Sequence, residues 1–175
     1  KPGVDVEGIL SQHNIFAKFP EAVTKECSLL PKEVTKEELV DRKDLSSYSF
    51  VTSDGDDAKD FDDAVYLEKQ GENYLLSVSI ADVSHYVQEN SPLDKEAYNR
   101  GTSVYVVDRV VPMLPNALSE NLCSLMPNQI RLTQTCEMRV NNEGKVTSYK
   151  IYPSYIRSHY RLTYNEVNAV LNKDS

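Results

Sequence analysis

"DGDDAKDFDDAVYLEKQGENYLLSVSIA", residues 54–81, joins a loop that should resist compaction to a hairpin that should drive it. In its second half, "AVYLEK" and "NYLLSVSIA" are β-prone runs separated by the Gly-containing "QGEN", which predicts two antiparallel strands with one covered face. The first half crowds six aspartates and one lysine into residues 54–63. Two carboxylates about 4 Å apart repel on a scale of about 4 kcal/mol at an effective dielectric of 20. Such crowding persists only where the loop is fully solvated, or where a cation or protons neutralise it.

Outward from this stretch the chain divides by pattern. "YSFVT" before the acidic loop reads as a short strand. Upstream, "VDVEGILSQHNI" and "FPEAVTKECSLL" each hold a short helix, and "PKEVTKEELVDRKDL" reads as a charged surface helix with Thr35 capping toward Glu38. Downstream, "SPLDKEAYNRG" predicts a helix with Ser91 as cap, Pro92 in the first position and Gly101 closing it. "TSVYVV" then reads as a strand, and "NALSENLCSLM" as a helix presenting Leu118, Leu122 and Leu125 on one face. "LTQTCEMRV" and "VTSYKIY" form a second hairpin across "NNEGK", and "TYNEVNAVLN" a final helix with Thr163 and Glu166 as a capping box. The fold class expected is α+β, mostly antiparallel sheet with packed helices.

The 175 residues suffice for one domain with a sizeable core, and 40% hydrophobic with 26% charged residues is the composition of a folded chain rather than a disordered one. The net charge of -8 argues alone for a cationic partner, but it hides an asymmetry. Residues 1–63 carry 15 acidic against 8 basic side chains, and residues 98–175 carry 6 against 9. Cys27, Cys123 and Cys136 are odd in number and without motif spacing, which points to reduced thiols and a cytoplasmic location rather than to a zinc site. No apolar run reaches the ~20 residues of a membrane span. The chain opens on "KPGVDVEG" with no methionine, so it reads as a piece of a longer protein.

Asp60 and Asp62, two apart, share a face in extended backbone with Cα atoms about 6.6 Å apart, a span that can straddle one cation or two. Asp63 joins them only if the backbone turns, and Gly55 lets the loop fold back. A hard divalent ion is the chemical match, since Mg²⁺ takes few carboxylates and accepts phosphate oxygens; paired ions serve phosphodiester cleavage. An EF-hand fits poorly, with Lys59 where glycine is required and Val65 where glutamate is required. Glycosidic chemistry needs only two opposed carboxylates. Spacing leaves three readings open: metal-dependent phosphoryl chemistry, a non-catalytic cation site, and a solvated acidic loop. Phe61, apolar in the middle of the run, speaks against the last.

"VTSDGDDAKDFDDAVY" resembles the opening motif of the catalytic (RNB) domain of the RNase II / RNase R family of exoribonucleases. The likeness continues through "SVSIADVSHYV", "SPLDKEAYNRGTSVY", "VVPMLPNALSENLCSLMPNQIRLTQTCEM" and "HYRLTYNEV", and is closest to the ribonuclease R branch. The resemblance implies a processive, Mg²⁺-dependent hydrolase that degrades single-stranded RNA from its 3′ end to nucleoside 5′-monophosphates. It implies active-site aspartates at Asp54, Asp60, Asp62 and Asp63, and leaves out Asp56 and Asp57. Asp54 and Asp63 are then direct metal ligands, Asp60 a supporting ligand, and Asp62 the carboxylate that orients the nucleophile. It further implies base stacking by Tyr105, a residue that as a strand tyrosine would otherwise be expected in the core.

By the same resemblance residues 1–40 are a connecting segment from preceding RNA-binding domains, and residues 41–175 the N-terminal part of an incomplete catalytic domain. The rest of that domain and the flanking cold-shock and S1 domains are expected in the full-length protein, with weak activity at most for this stretch alone. The rival class is a non-catalytic RNA-binding or cation-binding interaction module. Arg100, Arg109, Arg131, Arg157 and Arg161 are candidates for contact with RNA backbone but read first as surface or hydrogen-bonding residues, His85 and His159 as structural, and Cys123 and Cys136 as small apolar groups.

Overall fold

The computed structural model describes residues 4–107 and 109–172. The chain forms two compact units, one from residues 1–30 and 83–119, the other from residues 31–82 and 120–175.

In the first unit lie α1 (Val4–Gln12) and α2 (Glu21–Ser28). The second unit then begins with a single 3-10 turn, Glu37–Leu39, followed by β1 (Lys43–Asp44), β2 (Phe50–Asp54), β3 (Asp63–Gln70) and β4 (Asn73–Ala81). The chain returns to the first unit for α3 (Val83–Tyr86), α4 (Pro92–Arg100), β5 (Val104–Tyr105) and β6 (Val110–Val111). A π-type turn at Leu118–Leu122 leads on to β7 (Ile130–Val140), β8 (Val146–Thr163) and α5 (Tyr164–Asn172).

The larger unit is a closed sheet. β2 pairs antiparallel with β3, β3 with β4, β4 with β7 and β7 with β8, while the far end of β8 runs parallel to β2 and completes the circuit; β1 adds to β8 in parallel. Closure leaves little room inside, and small side chains fill it. Ser79, Thr133, Thr135 and Ser154 are fully buried. Buried hydroxyls cost free energy unless they pair. Here Ser79 and Thr135 lie 2.7 Å apart, Thr135 and Ser154 2.6 Å, and Thr133 and Ser154 2.8 Å. Phe50, Ala64, Leu132 and Ile156 supply apolar core around this hydroxyl chain.

In the smaller unit α4 is fixed at both ends. Ser91 Oγ accepts the Asp94 N–H at 3.1 Å, Glu26 Oε2 of α2 accepts the Leu93 N–H at 2.8 Å, and Gly101 takes φ 70° to close the helix. Its inner face buries Leu93 and Ala97. Arg100 lies 3.8 Å from the Phe19 ring centroid, bonds Glu96 and donates to the Pro112 carbonyl, which makes it structural.

Three expected elements come out shorter. The helix read over residues 31–45 is only the Glu37–Leu39 turn: the Thr35 N–H does bond Glu38 at 2.7 Å, but Val40 is extended, Asp41 has φ 62°, and Lys43–Asp44 is drawn into the sheet as β1. "NALSENLCSLM" makes one π-type turn rather than a helix, although Leu118, Leu122 and Leu125 are all buried as expected. "TSVYVV" contributes only the two residues Val104–Tyr105, paired with Val110–Val111.

Candidate active site on the acidic loop

β2 ends on Asp54 and β3 begins on Asp63, so the acidic run is the connection between two neighbouring strands of the closed sheet. Backbone contacts hold it at several points. The Ala58 N–H donates to the Gly55 carbonyl at 3.1 Å, and the Asp62 carbonyl accepts from the Ala81 N–H at 2.9 Å. Phe61 is 4% exposed, its carbonyl accepts the Leu125 N–H at 2.8 Å, and its own N–H donates to Ser124 Oγ at 3.2 Å. Ser124 Oγ in turn donates to the Lys59 carbonyl at 2.7 Å. The apolar residue inside the charged run is therefore its anchor, and the loop is not a loosely solvated one.

Of the four singled-out carboxylates, Asp54 and Asp62 feel the charge of the others. The Asp54 carboxyl is pushed above the usual aspartate range by burial first, then by Asp63 and Asp60, with the Arg161 guanidinium pulling the other way. Asp62 is shifted in the same direction by protein crowding its carboxyl, then by Asp60, Asp54 and Asp63, although the residue as a whole keeps solvent contact. Asp60 is half-buried and Asp63 exposed. Asp54 Oδ2 is buried with no hydrogen-bond partner among the described residues. Asp56 has a different part: its carboxylate accepts from Asn165 Nδ2 at 3.0 Å.

Among the described residues no three His, Cys, Asp or Glu side chains are already gathered into a coordination shell. The donor set nevertheless fits a hard divalent cation, since it is all carboxylate oxygen and includes a buried, unsatisfied oxygen on Asp54. Two neighbouring groups are chemically quiet. Burial, aided by Asp62 and Asp82 and opposed by Arg131, pushes the Cys123 thiol up to about 12, so it is not a thiolate nucleophile at neutral pH. Asp82 is bound to Arg42 at 2.6 Å with both side chains nearly buried.

Tyr105 belongs to the smaller unit and is 68% exposed at the end of the β5–β6 hairpin, so the expectation of a core tyrosine does not hold. The sequence marks Arg161 only as a surface or hydrogen-bonding arginine and does not single out Asn165 or Ser124, yet all three hold the acidic loop. Nothing in their local spacing signals it, because Arg161 meets the loop across more than a hundred residues through the parallel pairing of β2 with β8. Arg131 is structural as expected, donating to the carbonyls of Asn121 and Ser124 at 2.9 Å and so fixing the segment that carries Ser124.

Known proteins resemble this chain in sequence and in fold. Residues 42–175 match the RNB domain. Ribonuclease R of Thermotoga maritima is 49% identical over 177 residues, covering 99% of this chain and 25% of that protein. The structures of Mycoplasma genitalium RNase R in complex with double-stranded RNA and with ribose-methylated single-stranded RNA superpose with TM-scores of 0.93 at 37% identity. Each superposition covers 99% of this chain, against 31% and 27% of those chains. The chain thus spans between a quarter and a third of the length of these relatives. An acidic loop anchored between two strands of a closed sheet, RNB-domain sequence over residues 42–175 and these likenesses place the chain in the ribonuclease R family.

Proposed function

We propose that the chain supplies the acidic part of an active site that hydrolyses RNA processively from the 3′ end and releases nucleoside 5′-monophosphates. The observation that carries this reading is the charge that Asp60 and Asp63 bring to bear on Asp54 and Asp62, with one buried Asp54 oxygen left without a partner among the described residues. Negative charge gathered in this way works against binding a phosphate unless a cation stands between them.

Asp54 and Asp63 would hold Mg²⁺ directly, with Asp60 in support. When bound there, Mg²⁺ supplies Lewis-acid stabilisation of charge on the phosphate oxygens and makes water a better nucleophile. Asp62 orients the attacking water and takes up its proton. Tyr105 offers an exposed ring on which any base can stack, a sequence-tolerant contact worth about 1–3 kcal/mol. Residues 1–40 form the connection from preceding RNA-binding domains and residues 41–175 the first part of the catalytic domain, in a cytoplasmic protein. Cationic side chains that share the stabilisation of phosphate charge come from the rest of the catalytic domain, with cold-shock and S1 domains flanking it. By itself, this 175-residue stretch has at most weak activity.

The test is release of 5′-monophosphates from 3′-labelled single-stranded RNA by the full-length protein with Mg²⁺ or with chelator. Asp62→Asn is expected to lower kcat by about 10²–10⁴-fold with RNA binding retained, and Tyr105→Ala to weaken binding of the 3′ end by about 1–3 kcal/mol. RNA retention by the wild type without any product would instead mark a non-catalytic binding module.

A further inference from the structure

The junction between β8 and α5 grips the acidic loop from one side. Arg161 Nη2 donates to the Gly55 carbonyl at 2.9 Å and also to the Asp56 carbonyl, and its guanidinium carbon lies 5.5 Å from the Phe61 ring centroid. Asn165 Nδ2 adds its bond to Asp56 Oδ2 at 3.0 Å. These side chains are delivered by the parallel register that sets Thr52 beside Arg161 and Asp54 beside Thr163. A reciprocal capping box fixes the start of α5: the Thr163 N–H donates to Glu166 Oε2 at 2.7 Å, and the Glu166 N–H to Thr163 Oγ1 at 3.2 Å. Ser124 holds the other end of the loop at Lys59 and Phe61. The bonds that reach the loop go to its backbone or to Asp56 rather than to the four candidate carboxylates.

We propose that Arg161 is a positioning residue for the metal site, fixing the turn that follows Asp54 so that the loop's carboxylates are held where one divalent cation can unite them. The inference rests on the metal-site reading of the loop given above. One guanidinium nitrogen meets two successive carbonyls while the plane approaches the Phe61 ring, and a lysine ammonium on its flexible stem cannot reproduce that geometry even though it keeps the charge. Arg161 therefore acts through shape, not only through attraction, and changing it to lysine should cost nearly as much as removing the charge.

The test measures Mn²⁺ binding to the full-length protein by electron paramagnetic resonance, alongside Mg²⁺-dependent kcat and KM for single-stranded RNA. Arg161→Lys and Arg161→Met are both expected to weaken Mn²⁺ binding by about tenfold or more, the usual loss when a residue supporting metal ligands is removed, and to lower kcat with KM for RNA unchanged. Wild-type Mn²⁺ affinity in either variant would overturn the inference. Should Arg161→Met fail to fold, Arg161→Lys decides by the same criterion. Absence of Mn²⁺ binding by the wild type would instead sink the metal-site reading itself and the inference with it.

Discussion

Asp54 stands where the loop's conflicting demands meet. Its carboxyl is partly buried, faces the charges of Asp63 and Asp60, and is eased only by Arg161. A carboxyl whose folded pKa exceeds its unfolded value binds more protons folded than unfolded in the interval between the two. Its favourable contribution to folding is complete below the ordinary aspartate value and is lost as the pH rises through the folded one; Asp62 carries the same sign. In metal-free protein, Asp54→Asn should therefore raise the melting temperature near neutral pH and raise it much less at about pH 4, close to the ordinary aspartate value. Asp44 and Glu166 are shifted downward by hydrogen bonds and give the opposite trend, but they are common to both proteins and cancel in the difference. Thermal denaturation with chelator across this range checks it; a gain independent of pH, or a loss at neutral pH, would contradict the assignment of strained charge to Asp54. At this scale the crowding of aspartates was legible from composition, and the anchoring of their loop through Phe61 was hinted at by one apolar residue in the run. Arg161 was not, since an isolated arginine in "HYRLTY" carries no local mark of the loop it serves.

Elements were legible where local chemistry alone decides them. α4 begins and ends where Ser91, Pro92 and Gly101 require, and α5 begins on the Thr163–Glu166 box. Ser91→Ala should cost about 1 kcal/mol, lowering the melting temperature by about 2–4 °C for a chain of this size; an unchanged melting temperature would show that the Glu26 contact to Leu93 suffices as the cap. Where a partner distant in sequence decides, local reading fails. Residues 31–45 carry helical charge patterning and half of a capping box, but pairing of Lys43 and Asp44 with Ser154 and Tyr155 takes them into the sheet. β8 is a second case. Pro153 lacks the N–H a ladder needs and looks like a strand end, yet β8 runs on for another ten residues, exchanging β7 for β2 as its neighbour. That continuation closes the sheet and brings Arg161 to the acidic loop.

The whole molecule sets charge against position. Its acidic first half holds the loop, its mildly basic second half holds the clamp, and the relatives it matches are roughly three to five times as long as the part matched here. Hairpins, the α+β class and the family were readable from sequence; closure of the sheet and the division into two units were not, because both depend on residues that meet only after folding. Among the described residues no helix is long and apolar enough to cross a membrane. The central claim is that one loop of this sheet presents its carboxylates to a divalent ion. Anomalous scattering from crystals of the full-length protein grown with Mn²⁺ tests it most directly. The account predicts a Mn²⁺ peak within about 2.0–2.2 Å of carboxylate oxygens of Asp54 and Asp63, with Asp60 beside it. A fully occupied peak elsewhere, with this loop bare at saturating Mn²⁺, would contradict it.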